Sequence, residues 1–150
     1  MSEKTVAVNR KAFHDYEVLQ RVEAGLVLTG TEIKSIRGGR ANLRDSYARI
    51  EGGQAWVHNL HISPYEQGNR FNVDSKRTRR LLLRKEEINR LIGKTVERGL
   101  TLIPLRLYLK RGLAKVELGL VRGRRQYDKR QAIARREAER QMARAIRYRG

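Results

Sequence analysis

Thr101-Leu102-Ile103-Pro104-Leu105-Arg106-Leu107-Tyr108-Leu109-Lys110, then Arg111-Gly112, then Leu113-Ala114-Lys115-Val116-Glu117-Leu118-Gly119-Leu120-Val121, is the stretch on which the fold turns. Its first part alternates, with Thr101, Ile103, Leu105, Leu107 and Leu109 on one side and Leu102, Pro104, Arg106 and Tyr108 on the other, the period of a strand. Arg111-Gly112 supplies a turn, so the segment predicts a β-hairpin. Pro104 has no amide hydrogen to give a ladder, which predicts an edge position or a bulge there.

Moving toward the N-terminus, Ser46 to Ile50 and Ala55 to Leu60 flank Glu51-Gly52-Gly53-Gln54, whose glycines can adopt positive φ, and this predicts another hairpin. Tyr16 to Leu28 is rich in strand-forming residues. Thr31 to Ile36 reads as a short helix stopped by Gly38-Gly39, and Lys85 to Ile92 as a helix with acids in its early turns and Gly93 behind it. Pro64 to Asn72 has little apolar periodicity and reads as an irregular loop. Short strands in hairpins with two helices, closed within about 120 residues, predict a mainly β protein: a small antiparallel barrel, of which the oligonucleotide-binding fold is one type.

In the other direction the character changes after Val121. Residues 122–150 hold 11 basic and 3 acidic side chains, a net charge of +8 against +10 on residues 1–121. The expected organisation is a barrel over 1–121 and a basic tail over 122–150. Within the tail, Ile133, Ala134, Ala138, Met142, Ala145 and Ile146 form an apolar stripe of which half is alanine. So thin a stripe cannot offset ordering entropy, which predicts disorder in the free protein and a helix on a partner.

A chain of 150 residues supports one domain with a modest core. Its 34 Lys and Arg against 16 Asp and Glu leave +18, a self-repulsion that a polyanionic partner relieves. Nucleic acid and an anionic membrane both qualify as that partner, but no stretch approaches the roughly 20 apolar residues of a membrane span, so a span is excluded. Arginine outnumbers lysine 25 to 9. The planar guanidinium grips phosphate bidentately and stacks on bases, although GC-rich coding or a thermophilic origin would also enrich arginine. Cysteine is absent and Met1-Ser2-Glu3-Lys4-Thr5-Val6 lacks the layout of a secretory signal, so a cytoplasmic location is expected.

Catalytic patterns are weak. His58-x-x-His61 projects to opposite faces of a strand and lacks further ligands for zinc. Ser46 with Asp45 and Ser35 with Glu32 lack a nucleophile context, and no Gly-x-Ser-x-Gly or phosphate-binding Gly-Lys-Ser/Thr loop occurs. No catalytic residue, cofactor or metal is predicted. Lys76-Arg77-Thr78-Arg79-Arg80 with Arg84-Lys85 puts six cations into ten residues. Beside Tyr65 and Phe71 that run suits RNA, where a solvated charged face is the other reading. Gly123-Arg124-Arg125-Gln126-Tyr127-Asp128-Lys129-Arg130 likewise combines cations with one aromatic ring for stacking.

Several ordered strings resemble the small protein B family: Asn9-Arg10-Lys11-Ala12, His14-Asp15-Tyr16, Glu23-Ala24-Gly25-Leu26, Gly30-Thr31-Glu32-Ile33-Lys34-Ser35, Asn42-Leu43-x-Asp45-Ser46-Tyr47, His61-Ile62-x-Pro64-Tyr65-x-x-Gly68-Asn69, Arg77-x-Arg79-Arg80-Leu81-Leu82-Leu83, Thr101 to Leu105, and Tyr127 to Arg130. The resemblance spans residues 7–147. It implies a barrel of the oligonucleotide-binding type that grips the tRNA-like domain of transfer-messenger RNA, with a tail that reaches the decoding centre and empty mRNA channel of a stalled ribosome. Carried over by position, it implies Asn9, His14, Glu23, Leu82 and Lys115 as the surface for transfer-messenger RNA. In the tail it implies Arg124, Arg125, Tyr127, Asp128, Lys129 and Arg130, with Tyr127 stacking on a base and Lys129 and Arg130 on phosphates. Glu23 would bond a base or sugar, or serve a structural salt bridge; Leu82 would be an apolar platform, or core. Tyr127 stands where the family also has histidine, and Arg84 where neutral residues or histidine are common. The partners expected are that RNA and small-subunit ribosomal RNA, with no membrane and a monomer when free. Two rival readings are a general single-stranded RNA-binding barrel and a small RNA-processing enzyme using His14 and Asp15.

Overall fold

The computed structural model describes residues 3–65, 73–124, 136–138 and 140–142, the side chains of residues 97 and 98 excepted. In chain order the elements are β1 (Glu3–Val8), α1 (Arg10–Asp15), β2 (Tyr16–Leu26), α2 (Gly30–Arg37), β3 (Ala41–Asn42), β4 (Tyr47–Glu51), β5 (Gln54–His58), β6 (His61–Ile62), β7 (Arg79–Leu82), α3 (Lys85–Arg98), β8 (Thr101–Lys110) and β9 (Leu113–Gly123). The pairings run β8–β4–β5–β7–β2–β9 and return to β8, all antiparallel, so the sheet closes on itself with β1 added along β8. Closure removes most free edges, and the predicted antiparallel barrel is what forms.

Both predicted hairpins are present. Gly52 and Gly53 take φ of 59° and 74° in the β4–β5 turn, and Gly112 takes 77° in the β8–β9 turn. Pro104 sits at a register irregularity between β8 and β9, where the β1 ladder has ended at Arg106 and the β4 ladder begins at Leu102. The bulge changes the parity of the strand. Leu102 and Leu107, five residues apart, share the barrel interior, whereas Ile103 and Leu105 turn outward under α1 and pack with Ala12 and Val121. A strict alternation puts Leu102 opposite Leu107; the extra residue of the bulge is why both are core.

α2 starts on a capping box, in which Thr29 Oγ1 accepts from Glu32 N and Glu32 Oε1 accepts from Thr29 N. α3 differs from expectation. It passes through Gly93 and continues to Arg98, ending at Gly99 with φ 63°. A mid-helix glycine costs only about 1 kcal/mol, and the buried stripe of Ile88 and Leu91 outweighs it; the left-handed cap belongs to Gly99. β1, α1 and the short β3, β6 and β7 have no individual sequence prediction. α1 is a six-residue helix held by tertiary contacts, with the Asn9 side chain capping Ala12 N.

β9 runs to Gly123, paired with Tyr16, so the sheet continues two residues past the compositional break at Val121.

Candidate nucleic-acid interface

The run Lys76 to Arg80 separates into two kinds of cation. Arg79 is fully buried: its Nε donates to Glu32 Oε2, its Nη1 to the Leu60 carbonyl and its Nη2 to the Ser75 carbonyl. Arg77 Nη2 donates to Glu32 Oε1 at 2.6 Å. Burial pushes the Glu32 carboxyl upward, but the bonds from Arg77, the Thr29 amide and Arg79 outweigh it and leave it below the usual carboxylate range. Lys76 and Arg80 remain exposed. Half of the most basic run is therefore structural, a correction to its reading as a surface for RNA. Phe71, named with that run, lies outside the described residues.

Gly25 gathers three of the five body residues. It pairs with Leu82 of β7 on one side and Lys115 of β9 on the other, so those two side chains flank it on one outward face, with Glu23 two residues along the same strand. A Cβ on Gly25 would lie 3.3 Å from Leu82 Cβ, so the absent side chain leaves a slot between an apolar and a cationic group. Leu82 is 50% exposed, a surface residue rather than core. Glu23 Oε2 accepts from the Tyr108 hydroxyl and lies 3.5 Å from Lys110 Nζ. The Tyr108 bond, opposed by some burial and assisted by Lys110 and Lys115, holds the Glu23 carboxyl below its usual range, while burial and then Glu23 push Tyr108 well up. Arg106 packs over the Tyr108 ring with its guanidinium carbon 4.1 Å from the centroid, and bonds Glu3 and Glu117.

Asn9 and His14 stand elsewhere. Asn9 is 4% exposed and committed to the fold: Oδ1 accepts from Ala12 N, and Nδ2 donates to the Pro104 and Leu43 carbonyls. It anchors α1, on which His14 is exposed with Nδ1 3.0 Å from Asp15 Oδ1. β2 separates this end from Glu23 by seven residues, about 23 Å at strand rise. Tyr108, Arg106 and Gly25 are the residues that position-by-position reasoning does not assign. Only Gly25 carries a signal, as a glycine inside a strand pattern.

The hydroxyls considered for chemistry are spent on the fold, Ser35 on the Ser63 carbonyl and Ser46 on the Leu43 carbonyl. Among the described residues no His, Cys, Asp and Glu group could hold a metal, and no helix is long and apolar enough to cross a membrane. In the tail, Arg124 is exposed at the end of β9; Arg125, Tyr127, Asp128, Lys129 and Arg130 lie outside the described residues. Residues 136–138 and 140–142 are helical and exposed.

A closed antiparallel barrel with a cation-flanked outer strip places the chain among the small barrel proteins that bind nucleic acid. The chain belongs to the SmpB protein family, whose model matches residues 6–148. An SsrA-binding protein of Desulfitobacterium hafniense is 62% identical across 98% of this chain and 94% of its own length. One of Carboxydothermus hydrogenoformans is 60% identical across 98% and 99%. A solved chain described under "tmRNA-SmpB: a journey to the center of the bacterial ribosome" superimposes with a TM-score of 0.66 at 53% identity, covering 77% of this chain and 82% of that one.

Proposed function

We propose that this protein binds the tRNA-like domain of transfer-messenger RNA and delivers it to stalled ribosomes for trans-translation, acting in the cytoplasm as a binding protein without catalysis of its own. The observation that carries the reading is the convergence of Glu23, Leu82 and Lys115 around Gly25 in a member of the SmpB family. Lys115 supplies charge for a phosphate, Leu82 an apolar platform for a sugar or base face, and Glu23 an acceptor for a base amino group or a 2′-hydroxyl. The bond from Tyr108 and the nearby Lys110 keep that carboxylate ionised and oriented. Gly25 lets the RNA backbone approach the sheet. Asn9 acts by anchoring α1 and so positions His14, which meets the RNA from the far end of β2.

The body is residues 1–121 with the short extension of β9, and the tail after it is a second RNA-binding surface. Arg124, Arg125, Lys129 and Arg130 contact phosphates in the decoding centre and mRNA channel, Tyr127 stacks on a base, and Asp128 accepts from a base or sugar.

The test is binding of labelled tRNA-like RNA against homopolymer competitors across a salt series. Expected are a steep fall of affinity with salt, preference for the folded RNA, and intact RNA after incubation. Equal competition by homopolymers would favour a general single-strand binder, and cleaved RNA an enzyme. Truncation after Arg124 should leave the melting temperature and RNA affinity of the body in place and abolish tagging on stalled ribosomes. Full tagging by the truncated protein would remove the tail from the decoding centre.

A further inference from the structure

The outer face of β4, β5 and β7 carries an aromatic and cationic row beside the Gly25 strip. Along β5, Ala55 and Val57 are buried in the barrel while Gln54, Trp56 and His58 face outward, half-buried. Register places Arg49, Trp56 and Arg80 in one row across three strands, with Tyr47 and His58 paired in the next row. Arg49 and Arg80 are exposed. The row is held in place: Arg80 Nη2 donates to Gln54 Oε1 at 2.7 Å, and the Arg49 guanidinium carbon lies 5.4 Å from the Tyr47 ring centroid. The Tyr47 and His58 rings stack at 5.0 Å and 13°, and Trp56 Nε1 donates to the Glu51 carbonyl at 3.4 Å. The Glu51 carboxylate, 3.7 Å from His58 Nε2, is an acidic group on this face and offers an acceptor rather than a phosphate contact.

An indole between two guanidinium groups matches the needs of an unpaired nucleotide, with a ring for the base and cations for its flanking phosphates. Arg80 and Leu82 alternate to the same face of β7, so this row is continuous with the Leu82–Gly25–Lys115 strip. We propose that Trp56, with Arg49 and Arg80 beside it, is a base-stacking site for an unpaired nucleotide of the RNA held by that strip. The assignment rests on the reading of the strip as the tRNA-like domain's surface.

Trp56 is the sole tryptophan of the chain, so the unaltered protein reports on the site. Titration with tRNA-like-domain RNA should quench its emission, saturating at the same RNA concentration as the anisotropy of labelled RNA. Trp56→Ala should weaken binding about 5- to 150-fold, the range of one lost stack, and Trp56→Phe should restore most of it. Arg49→Gln and Arg80→Gln, both on exposed side chains, should each weaken it several-fold. Saturated binding with unchanged emission, or unchanged affinity of a folded Trp56→Ala variant, would overturn the proposal. If Leu82→Ala and Lys115→Glu weaken binding while Trp56→Ala does not, the row alone is lost; if none of the three does, the strip itself is not the surface. Normal affinity of Trp56→Ala for the RNA with loss of tagging would transfer the row to ribosomal RNA, and would also overturn the proposal.

Discussion

The Glu32 and Glu23 side chains are 4% and 39% exposed, and each is bonded by two side-chain donors. Around Glu32 the donors are arginines folded inward, so three charges of the sequence are consumed in joining α2 to the approach of β7. Around Glu23 the donors are Tyr108 and Lys110 at the rim of the barrel, and the carboxylate stays at the surface beside Lys115. A formal charge therefore says little about what meets RNA until its burial is known. The outward cations Lys115, Arg80 and Arg49 are scattered in sequence and brought toward one face by pairing, Arg49 and Arg80 on either side of Trp56 and Lys115 across Gly25 from Leu82.

The largest effect should separate the two glutamates. Glu32→Ala leaves Arg79 buried without its counter-charge and should cost about 3–5 kcal/mol in urea unfolding. Glu23→Ala should change stability by less than about 1 kcal/mol, because its own carboxylate and the Lys110 ammonium beside it stay solvated. Equal losses would erase the distinction.

Next comes binding. Lys115→Glu should lower affinity for the tRNA-like RNA by about 10- to 100-fold and reduce the salt slope by about one contact, with an unchanged melt. Unchanged affinity would remove Lys115 from the strip.

Acid unfolding sharpens the contrast further. Glu32 has its carboxyl below the ordinary value of 4.5, so its stabilisation is complete above that pH and is lost as pH falls through the lower folded value. Melting temperature should fall steeply below about pH 4.5 in the native protein, and Glu32→Gln, already destabilised, should show a flatter acid limb. An identical limb in the variant would mean that other carboxylates govern it.

The smallest effect is expected at Tyr108→Phe. Removing one hydroxyl donor to a surface carboxylate should cost about 1 kcal/mol or less and let the Glu23 carboxyl rise toward its usual range. NMR titration of Glu23 would read this directly, and an unmoved titration would assign its depression to Lys110 and Lys115 instead.

The sequence by itself determined the two hairpins, the short helix behind Gly30, the barrel class and the basic composition of residues 122–150, because those follow from alternation, turn glycines and composition, which are local. It also carried the strings that place the chain in its family. What only the tertiary structure decided is which residues of those strings are surface. Asn9 and Arg79 look like polar candidates in the sequence and are buried anchors, because their partners, the Pro104 and Leu43 carbonyls and Glu32, lie 34 to 95 residues away. Leu82 looks like core and is half exposed, because β7 presents alternate residues outward beside a glycine. The parity of β8 beyond its bulge and the extension of α3 through Gly93 were settled the same way, by packing that outweighs a local preference of about 1 kcal/mol. Barrel closure joins strands far apart in the chain, and alternation within one strand cannot specify which strand will lie beside it.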